Sequence, residues 1–150
     1  MSIFSIPAGL TADKTGAGGL YGLMANVNNY SIAKSAVTTA GTNTTLTAAQ
    51  LLNGLVVLAA GASGGFTITL PSTAAIIGGL GPTIPTDGTY AEEIRIKNDG
   101  VGQIGTVTAG DASTTLTGTM TIATNTTRSF LLTVLSATTI AIENIGSMAL

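Results

Sequence analysis

The sequence predicts an all-β chain: an antiparallel β-sandwich of jelly-roll-like form, with one or two short helices and an extended N-terminal arm. Three observations predict it. Apolar side chains alternate with Thr and Ser in short runs, as strands with one buried face require. Turns rich in Gly, Asn and Asp separate those runs at short, regular intervals. The stretches that could be helical are brief and end at Asn-Gly or Gly-Gly. We divide the chain into an arm, residues 1–45, and a β domain, residues 46–150.

The arm mixes Gly, Asn and small residues with isolated large apolar groups and keeps no period. In "TGAGGLYGLMANVNNYS" the glycines weaken any helix that Leu20, Tyr21, Leu23, Met24 and Val27 would otherwise favour. Two roles stay open for its large side chains. They contact a surface on which the arm is laid, or they complete the domain's own core.

The β domain reads more regularly. "TAAQLLNG" supplies Thr47 as N-cap, a short helix through Leu52, and Asn53-Gly54 as a left-handed exit. "LVVLAA", Leu55 to Ala60, is apolar on both faces, which fits a strand covered on both sides. "FTITLP" alternates up to Pro71, after which Ser72 caps a second short helix containing Ala74, Ala75 and Ile77. Pro82, Pro85 and Asp87-Gly88 then exclude regular structure.

"YAEEIRIKN" follows, placing Tyr90, Glu92, Ile94 and Ile96 on one face and Arg95 and Lys97 on the other. "QIGTVTAG", "TTLTGTMTIA", "RSFLLTVL" and "IAIENIG" read as successive strands of a meander. Leu116, Met120 and Ile122 face one way in the second of these, and Gly118 on that face marks a bulge or a close backbone approach. Phe130, Leu132 and Val134 point inward, as do Ile140 and Ile142. The strands resemble one another in composition without a strict repeat, so a β-solenoid stands as the minor alternative to sandwich or barrel.

Composition limits the function classes. Only 8% of residues are charged, against about 25% in an average soluble protein, while 45% are hydrophobic. That excess of apolar side chains points to surface covered by partners. The longest apolar run, Leu51 to Ala62, is too short for a spanning helix and is broken by Asn53 and Gly54. Three Tyr, three Phe and no Trp cannot build the aromatic girdles of an outer-membrane barrel. Five scattered basic residues and a net charge of −2 argue against nucleic acid. The N-terminus shows no secretory signal pattern.

Chemistry is sparse. The chain has no His and no Cys, so the usual general base, metal ligand and thiol nucleophile are missing. Glu92 and Glu93 are adjacent and diverge on a strand. Asp87, Asp99 and Asp111 stand at Gly-containing turns, where Asp favours the bent backbone for local reasons; a weak loop calcium site is the residual alternative. "GAGGLYG" lacks the Lys-Ser/Thr of a phosphate loop. Sequons at Asn29, Asn43 and Asn125 are chance matches in a Thr-rich chain. The four Met residues are core filler. We expect no enzyme activity, no cofactor and no metal.

The runs "LTAAQLLNGLVVLAAGASGGFTITLPSTAAIIGGL", "YAEEIRIKNDG" and "TVTAGDASTTLTGTMTIATNTTRSFLLTVLSATTIAIENIG" resemble a domain of tailed-bacteriophage virion proteins, most closely the capsid decoration, or cement, proteins. The shared order spans Leu46 to Gly146: the helix entry, "TITLP" with its small helix, the "TLTGT.TI" strand and the "SATTIAIENIG" ending. The resemblance implies a homo-oligomer, commonly a trimer, on the capsid exterior that clamps neighbouring copies of the major capsid protein. An arm that anchors there would use Ile3, Phe4, Ile6, Leu20, Tyr21, Leu23, Met24 and Tyr30. The alternative is a tail or head fibre domain that binds a host glycan.

Overall fold

A computed structural model of the chain describes residues 33–39, 43–60, 65–99 and 103–149. The eight side chains expected to make arm contacts lie outside the described residues, so the structure places none of them. The described residues are mostly β, with two short helices, and form two mixed sheets packed together.

The larger sheet contains β1 (Ala33–Thr39), β3 (Gly54–Ala60), β5 (Tyr90–Asn98), β9 (Thr126–Ser136), β10 (Thr139–Ala149) and β7 (Thr114–Thr117), in that spatial order. The smaller sheet contains β2 (Thr44–Thr45), β4 (Phe66–Thr69), β6 (Gly105–Thr108) and β8 (Thr121–Ile122). Two of the strands, β1 and β2, fall within the span that the sequence alone showed without period. Helix α1 (Ala48–Leu51) connects β2 to β3, and α2 (Thr73–Leu80) lies between β4 and β5.

Pairing departs from the antiparallel expectation. β1, β3 and β5 run parallel, as do β2, β4 and β6, because the chain places one strand in each sheet before returning beside its own earlier strand. The first three strand pairs therefore wind as three coils. Among the described residues, antiparallel pairing is confined to β5–β9, β9–β10 and β6–β8. β7 adds a further parallel pairing at the far edge of β10. The run read as one strand, "TTLTGTMTIA", is two. Gly118, with φ +86°, turns the chain between β7 in the large sheet and β8 in the small one, and its Cα lies close against Asn144 of β10, where an added Cβ would meet the Asn144 Cβ at 3.3 Å.

The core forms between the sheets. Val56, Leu58, Ile94, Ile96, Phe130, Leu132 and Val134 project from the large sheet, and Phe66, Ile68, Val107 and Ile122 from the small one, all nearly or fully buried. Burial of each such side chain contributes about 1.5–3 kcal/mol. The helices close the margins. Thr47 caps α1 in a capping box with Gln50, accepting from the Gln50 N–H at 3.2 Å while Gln50 Oε1 accepts from the Thr47 N–H at 2.8 Å. That orientation buries Leu51, and Gly54 leaves the helix at φ +87°. Ser72 caps α2, which buries Thr73 and Ile76 and leaves Ala74 and Ala75 exposed.

Two polar groups fix the joints between segments. The carboxylate of Asp111 accepts from the Thr73 N–H at 2.7 Å and the Thr73 hydroxyl at 2.9 Å, serving the first turn of α2 from 38 residues away. The Thr73 hydroxyl also meets the hydroxyl of Thr114, the first residue of β7, at 2.9 Å. Gly110 makes the approach possible, because a Cβ there would meet the Leu70 carbonyl oxygen at 2.3 Å. Asn98, fully buried at the end of β5, donates its side-chain amide to the carbonyls of Gln103 and Ile122.

Candidate interaction surface

Alternation along β5 and β9 decides what the large sheet turns outward. Glu93, Arg95 and Lys97 on β5 share this face with Thr127, Ser129 and Leu131 on β9. The register then aligns rows across the sheet. One runs Leu55, Arg95, Ser129, Gly146, and the next runs Val57, Lys97, Thr127, Met148. Between them lies a shallow groove of about 590 Å³, lined by Leu55, by the β5 and β9 polar side chains, and by Ile145 to Met148.

Charges in the groove are paired. The Ser129 hydroxyl donates to Glu93 Oε1 at 2.8 Å, and the same oxygen lies 3.6 Å from Arg95 Nε. Lys97 Nζ is 3.0 Å from Asp99 Oδ1. Exposed pairs of this kind contribute at most about 1 kcal/mol each. What distinguishes the face is apolar exposure. Ile145 is 51% exposed and Met148 66%.

Backbone irregularity accounts for Ile145 and for a third exposed residue, Leu135. The β9–β10 ladder shifts register twice. Leu135 is the extra residue between the Val134–Ile140 and Ser136–Thr139 pairs, and Ile145 is the extra residue between Asn144 and Gly146. A bulge re-aims the side chain it inserts. Sequence reasoning missed Leu135, Ile145, Met148 and Ile104, the large apolar residues that stand exposed. A change of parity at "ENIG" was the available signal. The expectation that methionines fill the core fits Met120, which packs against it, and fails for Met148.

The carboxylates take separate places. Glu93 faces outward, whereas Glu92 faces the other side of β5, where the Tyr90 hydroxyl donates to its Oε2 at 2.8 Å. Burial, with Glu92 adding to it, pushes the Tyr90 phenol up to about 12. Asp87 accepts from the Thr89 N–H two residues on, the local turn role read from sequence, and hydrogen bonds from Thr89 hold its carboxyl below the usual value. Asp99 serves its turn, its N–H donating to the Leu58 carbonyl. Asp111 does more than the turn role predicted: besides accepting from the Ser113 N–H it reaches Thr73, and that backbone hydrogen bond is the main cause of its lowered pKa.

Among the described residues no three acidic, His or Cys side chains gather where they could hold a metal ion. No described helix is long and apolar enough to cross a membrane. Compared with known proteins, the chain matches no family model, no curated protein and no solved structure.

Proposed function

We propose that this chain is a structural virion protein, a capsid decoration or cement protein that binds the outer capsid surface as an oligomer, of which a trimer is the simplest form. Its partner is the major capsid protein, and its mechanism is many modest contacts repeated over a symmetric lattice, so that several interfaces must break together. One observation carries the reading: the outward face of the large sheet presents Ile145 and Met148 to solvent beside charges that are already paired. The low charge of the whole chain and the resemblance over residues 46–146 support it. The sandwich-like packing of the two sheets and the N-terminal arm with its eight large side chains belong to the same proposal.

The glycan-binding alternative draws less support. Phe66 and Phe130 are buried and Tyr90 is tied to Glu92, so these aromatics offer no platform on which a sugar could stack. The test is to introduce charge on the exposed face. Met148→Lys should leave the thermal midpoint within a few degrees of the wild type, because surface substitutions cost about 0.5 kcal/mol or less, yet weaken binding to undecorated shells about tenfold or more. Unchanged shell binding would remove this face from the interface.

A further inference from the structure

β10 outruns its neighbour. β7 flanks it only from Ile140 to Glu143 and then leaves at Gly118, whereas β10 continues to Ala149. Beyond Glu143 no described strand lies along the outer edge of β10. The Ile140 N–H, aimed at β7, donates to the Ser113 carbonyl at 3.2 Å, which sets the alternation of backbone groups. The bulge at Ile145 advances that alternation by one residue, so the N–H and C=O of Ser147 point away from β9.

The segment Ile145-Gly146-Ser147-Met148-Ala149 contains no charged residue and no proline, the usual devices that protect an open edge. We infer that this edge pairs with the same edge of a second copy, antiparallel about a two-fold axis through Ser147, continuing the six-stranded sheet across the pair. The hydrogen-bonding groups require an extended strand as occupant, and the identity of that strand follows from fit. Centring the axis on Ser147 sets Ile145 opposite Ala149 and Gly146 opposite Met148, large against small, and brings no like charges together. The two Ser147 residues exchange both backbone hydrogen bonds.

Such a contact is small, so it is weak alone and shows at high concentration. It is independent of the decoration reading. A two-fold contact yields even-numbered assemblies, a dimer by itself or a hexamer where three-fold contacts also form.

The experiment is sedimentation equilibrium on the full chain up to about millimolar concentration, the range in which a contact worth about 4 kcal/mol is half formed. It is paired with hydrogen exchange at Ser147. The wild type should form an even-numbered species, and the Ser147 amide should exchange more slowly as concentration rises. Ser147→Pro removes the outward N–H without touching the ladder to β9 and should halve the assembly mass. If that variant unfolds, the wild-type exchange data still decide. A trimer or monomer at every concentration overturns the inference, the former leaving the trimer reading intact. So does a Ser147 amide equally protected at all dilutions, or one protected only by added capsid shells.

Discussion

Asp111 shows how much one side chain can carry in a chain of few charges. It closes its own turn on Ser113, satisfies the first N–H of α2 through Thr73, and so fixes α2 to the start of β7. The folded state holds its carboxyl below the ordinary value of 3.8. A depressed carboxyl contributes stability that is fully present above the unfolded pKa and is lost as pH falls through the folded one. The wild type should therefore lose stability relative to Asp111→Asn as pH drops below about 4, with the two converging in acid; a gap in denaturation midpoint that stays constant from neutral pH to pH ~2 would contradict this. The Tyr90 phenol carries the opposite sign, its contribution being lost between about pH 10 and its raised value. The turn chemistry of Asp111 was legible in "GDAS". Its reach to Thr73 was not, because nothing local in sequence marks a partner 38 residues away.

At the scale of elements, periodicity was a sound guide to which residues face inward and a poor one to which strands pair. Phe130, Leu132 and Val134 are buried as their alternation required, as are Ile94 and Ile96, and both helices start at the predicted caps Thr47 and Ser72. Parallel and antiparallel strands with one buried face carry the same alternation, so the coil of β1 to β6 left no local trace. Gly118 is the position where two readings competed. Its neighbours alternate across it, but its φ of +86° ends β7 and carries the chain to the other sheet. Gly118→Ala should accordingly cost about 1–2 kcal/mol, from the left-handed backbone and the tight approach to Asn144. Equilibrium denaturation would measure it, and a neutral result would mean the crossover tolerates a different backbone.

At the scale of the whole molecule, the chain packs its core with side chains from both sheets and still leaves Ile104, Leu135, Ile145 and Met148 substantially exposed. Composition foretold surplus apolar surface. It could not foretell where, because Leu135 and Ile145 owe their exposure to bulges that appear only once β9 and β10 are in register. In a protein with 8% charged residues such a surface is a liability unless something covers it. Deleting the residues before Leu46 removes β1 and β2 along with the arm, so a cleaner probe stops before β1. A chain beginning at Ala33 should stay folded by circular dichroism and bind shells more weakly; full-strength binding would take the arm out of the contact.

The most direct measurement of the central claim, that this protein works by covering apolar surface against a larger scaffold, is a titration of the full-length chain onto undecorated capsid shells followed by co-sedimentation. Binding should saturate at a fixed, lattice-determined number of copies per shell and raise the force or temperature at which the shell breaks. Failure to co-sediment, or binding that never saturates and leaves shell strength unchanged, would contradict it.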